Sequence, residues 1–414
     1  MKRQIPSGFD ETNFLKTIDN IKLLFNERWL NKNPTKNILK KLWHRKDFLA
    51  ASELYIIGIG INKLQNNDYT DWLKDLYKQI NKNKEAPIYG IMYELFIYTL
   101  FQNKIELAVP NQAHYDLKII KEKQFIYTSI KKLTTSDQEK ELKQNFIDLE
   151  NFYIKELKKN NLNGLSLYLQ FNDYKNFNLE SAKIIIKKTL TSKRNLTGNN
   201  FFTILKEIKC NSDNFIINDN KISHQFNLVI PYDEREQKRF INLFKKASNN
   251  LNKIDECNLI IIGLSSTIDM QTAKKWIINE FNKNKYTRIS GVLLTQYLPA
   301  QNIKENSTHL NLQFNFIYNI NAKLKIDFTD ETFKMELPIG TISQKNSNYH
   351  MITDNGSLEM TEHYIFQSGY KLCEHLFGKM EYNFSYVPHL TEEILLLNKQ
   401  IGTLRPIGDK CVLL

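Results

Sequence analysis

Cysteine is too scarce to organise this chain. The four cysteines, Cys210, Cys257, Cys373 and Cys411, lie far apart with no CxxC pair. That excludes a zinc knuckle and a disulfide framework, and it suits ordinary thiols in a reducing compartment. Proline is thin as well, at 9 in 414 residues, and a hydrophobic share of 42% leaves material for a sizeable core, so the chain reads as globular. No apolar run approaches the ~20 residues needed to span a bilayer. The opening stretch from Met1 to Glu11 carries early acids in place of the apolar segment of a signal peptide. The expectation is a cytoplasmic protein with no membrane partner.

Acidic charge is also in deficit: 45 Asp and Glu face 57 Lys and Arg, for a net +12. Lysine and arginine near phosphates gain Coulomb energy and release counterions, so a polyanion such as nucleic acid is a natural partner. The lysines, however, are spread along the whole chain among many asparagines, a usage that AT-rich coding produces without selection for binding. No helix-turn-helix or zinc-finger pattern marks a base-reading element.

The length predicts two or three domains, at about 100–200 residues each. Periodicity divides the chain into an N-terminal helical region (1–85), an α/β core (86–300, less regular near 172–222) and a C-terminal α+β module (301–414). In the first region apolar positions recur at three and four (Phe14, Ile18, Ile21, Leu24, then Leu39 and Leu42), with Trp29, Trp43 and Trp72 as anchors. Gly58-x-Gly60 follows a strand-like Tyr55-Ile-Ile but lacks the third glycine and the later acid of a dinucleotide loop, and a turn is expected there.

After a linker from Asn81 to Pro87, the stretch Ile88 to Phe101 is apolar almost all round, which predicts a buried helix with Pro87 near its first turn. Strands follow over 105–109, His114 to Ile120 and Phe125 to Lys131, then a polar helix over 136–158 opened by Ser136-x-x-Glu139. Leu165 to Phe171 reads as a strand and Leu179 to Leu190 as a helix. Phe226 to Pro231, Glu234 to Leu251, Asn258 to Leu264, Met270 to Asn282 and Ile289 to Leu298 alternate like parallel α/β units. Beyond Pro299, alternating runs such as the one from His309 to Ile317 and the one from Phe333 to Leu337 predict an antiparallel module ending in one or two helices.

Glu94 is the only charge in the apolar helix, and burying a lone carboxylate costs several kcal/mol unless a cation or donors meet it. Gly90, one turn earlier on the same face, is expected to let the helix approach a neighbouring strand closely. Asp116 stands inside a predicted strand, where aspartate is depleted. In the next strand Phe125, Tyr127, Ser129 and Lys131 share one face by the period of two, so a hairpin groups carboxylate, hydroxyl and ammonium. Asp116, Glu94 and the Ile130 carbonyl form a donor set for Mg²⁺, with Mn²⁺ as a substitute. Such a metal activates a bound water, and Lys131 orients that water or stabilises the transition state. Each residue also has a plainer reading: Glu94 as a buried acid paired with a lysine, Asp116 as a turn residue, Lys131 as half of a solvated surface pair with Lys132.

In this order, Gly90-x-x-x-Glu94 on a helix, Asp116 on a strand, Ser129-x-Lys131 on the next strand and a polar helix after it, the segment from about 86 to 160 resembles the PD-(D/E)xK, or restriction-endonuclease-like, nuclease superfamily. The resemblance implies a mixed central sheet flanked by helices and Mg²⁺-dependent cleavage of double-stranded DNA, in a restriction or phage-defence setting, with a homodimer or partner subunit as the assembly. Ser129 departs from the pattern, which asks for Glu or Asp. Some members recruit a carboxylate from the following helix, which here implies Glu141 or Glu139, with Glu150 further along. Two other functions stay open: a catalytically decayed nuclease-fold subunit that binds nucleic acid or partners, and an RNA-directed nuclease or toxin.

Three further patterns carry less. His114 suits packing or a DNA-facing role. Gly263-Leu-Ser265 lacks the second glycine of a nucleophile elbow. Cys373-x-His375 with His363 lacks a fourth metal ligand at usual spacing and reads as helix packing.

Overall fold

The computed structural model describes residues 3–5, 9–33, 37–82, 84–102, 104–110, 113–121, 124–134, 136–162, 164–172, 177–207, 224–231, 234–251, 256–265, 268, 270–302, 307–326, 335–344, 349–353, 356–360, 364–368, 371–375, 381–386, 393–397 and 400–404. The chain divides into two compact units built from separate stretches. The first takes Met1–Thr134, Gln237–Asn348 and Asp409–Leu414, and the second takes Thr135–Glu236 and Tyr349–Gly408. Among the described residues no helix is long and apolar enough to cross a membrane.

The first unit opens with seven helices: α1 (Glu11–Asp19), α2 (Ile21–Leu24), α3 (Glu27–Leu30), α4 (Ile38–His44), α5 (Phe48–Asn66), α6 (Thr70–Asn81) and α7 (Glu85–Leu100). Short acidic and amide side chains start several of them. Asp10 accepts from the Asn13 N–H (2.8 Å), Asn37 from Lys40 (3.2 Å) and Asp47 from Ala50 (3.1 Å), each satisfying an N–H that the first helical turn leaves open. The abundant asparagines thus find local work at helix starts.

The expected turn at Gly58-x-Gly60 is instead the middle of α5, and the glycines serve helix packing. A Cβ on Gly58 would sit 2.0 Å from the Thr17 carbonyl oxygen of α1, and one on Gly60 would sit 2.6 Å from Leu95 Cδ1 of α7. Close backbone approach, which only glycine allows, was paid for here with helix propensity.

Three strands follow, β1 (Lys104–Leu107), β2 (Leu117–Lys121) and β3 (Gln124–Lys132). The second unit then begins with α8 (Asp137–Lys159), β4 (Leu165–Phe171), α9 (Leu179–Ser192), β5 (Phe201–Glu207) and β6 (His224–Pro231). Helix α10 (Glu234–Leu251), which belongs to the first unit from Gln237 on, leads back to β7 (Cys257–Gly263), α11 (Met270–Phe281), β8 (Gly291–Asn302), β9 (Ser307–Tyr318) and β10 (Thr341–Gln344). Seven strands complete the second unit: β11 (Tyr349–Thr353), β12 (Gly356–Met360), β13 (Tyr364–Ser368), β14 (Lys371–His375), β15 (Glu381–Tyr386), β16 (Glu393–Leu397) and β17 (Gln400–Leu404).

The first unit's sheet has the order β1-β2-β3-β7-β8-β9-β10. It is mixed: β1, β2 and β3 form an antiparallel meander, β3, β7 and β8 run parallel, and β9 returns antiparallel to β8. Every residue of β7 is buried, as a central strand covered on both faces must be. The second unit's sheet runs β13-β14-β15-β6-β4-β5, and β4 alternates strictly between buried and half-buried positions. The expected mixed sheet flanked by helices is therefore present.

Several finer expectations are corrected. The strand predicted over Phe226 to Pro231 pairs parallel with β4, but in the second sheet, with β15 antiparallel on its other side, and not beside β7 and β8. No helix occurs among the described residues beyond Phe281, and residues 405–414, where the module is expected to end in helices, lie outside the described residues. Alternating sequence in the described part of the module forms hairpins, two of which extend the second sheet. Cys373 and His375 lie on β14, not on a helix, and His363 lies outside the described residues. Of the run from Phe333 to Leu337, Met335 makes a single bridge to Phe101, and 333–334 lie outside the described residues.

Candidate functional site

Asp116, Ser129, Ile130 and Lys131 meet at the end of the β2–β3 hairpin, where Leu117 opposes Thr128. Asp116 is not inside a strand as expected; it immediately precedes β2. It is nevertheless tied on both sides, its N–H donating to the Thr128 carbonyl (2.8 Å) and its own carbonyl accepting from Ala108 (3.1 Å). Among the described residues no strand pairs with the β2-facing edge of β3 beyond Thr128. The Asp116 carboxylate fills that gap, with Oδ2 accepting from the Ile130 N–H at 2.5 Å.

The same oxygen receives two side chains from β3. Lys131 Nζ reaches Asp116 Oδ2 at 3.1 Å and also donates to the Ile130 carbonyl at 2.8 Å. Ser129 Oγ lies 3.4 Å from Oδ2, too long for a strong bond, and also accepts from Asn250 Nδ2 of α10 at 3.4 Å. Ser129 is fully buried, while the Asp116 and Lys131 side chains keep 20% and 22% of their surface, enough for a ligand to reach them. Lys132 turns the other way, to the Leu264 carbonyl (3.2 Å) and the face of the Tyr93 ring.

Glu94 enters from α7, which packs on β3 and crosses towards β7 and β8. Its neighbour Tyr93 is fully buried and hydrogen-bonded to the Thr295 hydroxyl on β8. The glycine that permits this approach is Gly263 at the end of β7, where a Cβ would lie 2.5 Å from Tyr93 Cζ. Gly90 does not do it: a Cβ there would meet nothing within 4 Å. Glu94 itself keeps some surface, yet its carboxyl is pushed up to about 8, first by burial, then by the nearby Asp116 charge, with Lys131 pulling the other way and Asp75 of α6 adding to the rise. No hydrogen bond or ion pair to the Glu94 carboxylate occurs among the described residues.

Asp116, Ser129, Ile130 and Lys131 are thus brought together, and Glu94 lies near enough for its carboxyl to feel the charges of Asp116 and Lys131. Glu139 and Glu141 lie on α8, in the second unit, with Glu141 exposed; Glu150 on the same helix is buried. Among the described residues no group of three or more His, Cys, Asp or Glu side chains could hold a metal ion. His114 is exposed, and Ser265 follows the last residue of β7 by two. Sequence reasoning missed Asp75 and Asn250. Both sit on polar helix faces, where nothing in the pattern separates them from ordinary solvated residues.

The donor set is all hard oxygen: two carboxylates and one main-chain carbonyl, with no nitrogen or sulfur ligand. Such a set fits Mg²⁺, which keeps several waters and needs only one or two carboxylates. It does not fit a cage closed by protein alone. No family model matches the chain, and no curated protein or solved structure matches it.

Proposed function

We propose that the first unit is a Mg²⁺-dependent nuclease acting on the phosphodiester bonds of DNA. One observation carries this reading. The Lys131 ammonium sits on Asp116 Oδ2 and the Ile130 carbonyl, the oxygens that a divalent cation would use, and the Glu94 carboxyl is raised by burial and by the Asp116 charge, with Lys131 pulling the other way. Burial first, and the Asp116 charge second, hold the Glu94 carboxyl in its neutral form near pH 7, and a divalent cation beside it would favour the ionised form. A bound Mg²⁺ would supply an activated water and screen charge on the phosphate. Asp116, Glu94 and the Ile130 carbonyl would hold it. Lys131, whose Nζ is half-enclosed and pre-positioned by two acceptors, donates to the charge that develops on the phosphate oxygens. The net +12 charge favours a polyanionic substrate by attraction and counterion release.

Supercoiled plasmid incubated in Mg²⁺ and in EDTA tests the reading, with Asp116→Ala and Lys131→Ala as controls. Nicking or linearisation in Mg²⁺ alone, lost in both variants, is expected. Cleavage unchanged in both variants refutes this site. A panel of duplex DNA, single strands and RNA identifies the substrate, including the case of an RNA-directed nuclease.

A second reading, a nucleic-acid-binding subunit that does not cut, is favoured by a specific observation. Ser129 stands buried where a third carboxylate would complete the donor set, and its hydroxyl is occupied by Asp116 and Asn250. It predicts salt-sensitive DNA binding with no metal-dependent cleavage.

A further inference from the structure

A hydroxyl buried on a helix commonly returns to the carbonyl one turn back, and it is then satisfied from within. Ser52 does so at 2.8 Å from the Phe48 carbonyl, and Thr189 at 2.9 Å from that of Ile185. Ser248 of α10 does not. It is only 4% exposed, and its hydroxyl has no hydrogen-bond partner among the described residues. A buried polar group in that condition costs stability unless water or a ligand meets it.

Ser248 lines a pocket of about 420 Å³ together with Lys285, Tyr286, Thr287, Arg288 and Ile289, which belong to the turn joining α11 to β8. The acceptors of that turn are already committed to the protein. The Tyr286 carbonyl accepts from the Ile289 N–H and from Asn319 Nδ2, both at 2.9 Å, and the Thr287 carbonyl from the Lys323 N–H at 2.8 Å. The Arg288 carbonyl accepts from Asn258 Nδ2 at 3.1 Å, and that of Ile289 from Asn319 Nδ2 at 2.8 Å. The Tyr286 hydroxyl is given to Glu280, whose carboxylate also holds Lys283.

What the lining keeps for a ligand is donors and positive charge. The Ser248 and Thr287 hydroxyls have no partner among the described residues, Lys285 has no acid partner among them, and both Lys285 and Arg288 are exposed. Hydroxyls beside two cations, with the nearby carbonyls turned away, suit an oxyanion, and phosphate is the oxyanion that lysine and arginine hold best. We infer that this pocket is a binding site for a phosphoryl group, with Lys285 and Arg288 supplying charge and Ser248 the buried hydrogen bond that fixes the anion in place. Its volume falls within the ~300–1,000 Å³ of small-molecule sites, so there is room for the molecule that carries the phosphate. The site is independent of the nuclease reading, since none of Glu94, Asp116 and Lys131 lines it.

The test uses the full chain in EDTA at low ionic strength, with Ser248→Ala, Lys285→Gln, the double variant Lys285→Gln with Arg288→Gln, and Lys275→Gln as a charge-matched control on the exposed side of α11. Calorimetric titrations with inorganic phosphate, thymidine monophosphate, thymidine, and a short oligonucleotide with and without a terminal phosphate are compared. Phosphate-bearing probes should bind and thymidine should not. Ser248→Ala and Lys285→Gln should each weaken binding by about threefold to tenfold, and the double variant by more. Lys275→Gln and Asp116→Ala should bind as wild type does. A preference for the phosphorylated oligonucleotide would place the phosphate on a strand end, and equal or tighter binding of the monophosphate would place it on a free small molecule. Thymidine bound as tightly as its monophosphate, binding unchanged in Ser248→Ala and Lys285→Gln, an equal loss in Lys275→Gln, or no binding of any phosphate probe at millimolar concentration would each overturn the site. Without ligand, Ser248→Ala should melt at or above wild type. Melting below it would show the hydroxyl already engaged, and would overturn the site as well.

Discussion

The first unit holds two clusters of acid and lysine that look alike in sequence and differ in how their charge is closed. At the end of α11, Glu280 is buried, and both of its carboxylate oxygens are engaged. Lys283 binds Oε1, and the Tyr286 hydroxyl donates to Oε2 at 3.3 Å. The Tyr286 hydroxyl is pushed up to about 12 by burial and by the neighbouring Glu280 charge. One acid meets one base and one donor, and nothing is left over. At the end of β3, by contrast, Lys131 binds Asp116, and the Glu94 carboxyl, raised by burial and by the Asp116 charge, has no donor among the described residues. A cluster that closes its own charge reads as structure. One that holds a carboxyl without a donor keeps it neutral by its proton.

That contrast can be broken or sharpened in four ways. The largest effect is on activity: Asp116→Ala and Lys131→Ala should each lower the rate of Mg²⁺-dependent plasmid cleavage by about a hundredfold or more, the scale of losing one charged group from a transition state. Glu280→Gln should leave that rate unchanged in the same gel assay. Equal losses at both clusters would mean that the assay reads stability.

The next effect is on thermal stability in the presence of metal. Mg²⁺ at a hundredfold excess over its Kd should stabilise the wild type by about 2.7 kcal/mol. Asp116→Ala should lose this shift in a calorimetric scan, and Glu280→Gln should keep it. An unchanged melting temperature in Mg²⁺ would count against the oxygen donor set.

A third effect is on pH dependence without metal. The Glu94 carboxyl is raised from an ordinary value of 4.5 to about 8, so between those values the folded chain keeps a proton that the unfolded chain has released. The folded state then binds more protons than the unfolded state, and stability falls as pH rises from about 5 to about 8. Glu94→Gln removes the group and should flatten this decline, so that in EDTA the variant outlasts the wild type at pH 8 and differs little at pH 5. Urea denaturation at the two pH values decides it.

The smallest effect is the mirror image. Glu280→Gln loses a satisfied acceptor for Lys283, which is about half exposed and returns easily to water, so the cost should be about 1 kcal/mol. Urea midpoints at pH 7 measure it. Opposite signs for Glu94→Gln and Glu280→Gln at pH 8 are what the comparison requires.

How much of this was legible in the residues varies by element. The buried helix α7, with Pro87 in its first turn, and the strands β2, which Asp116 precedes, and β3, which carries Lys131, follow from patterns of 3.6 and 2 within one short segment. Periodicity failed where two readings share one local pattern. Gly58 and Gly60 look like a turn until α1 and α7 are placed against α5. The strand from His224 to Pro231 has the same apolar run as a member of the parallel sheet, and only its pairing with β4 and β15 assigns it to the other sheet.

The residues alone determined the local elements and the order Glu94, Asp116, Lys131, because helix and strand periods act over a few neighbours and need no partner. Tertiary structure alone decided that Asp116 caps the open edge of β3, that Gly263 and not Gly90 admits α7, and that Glu94 is buried within reach of the Asp116 and Lys131 charges. Those facts depend on which backbones come within a few ångströms of each other, and burial and charge coupling arise only once they do.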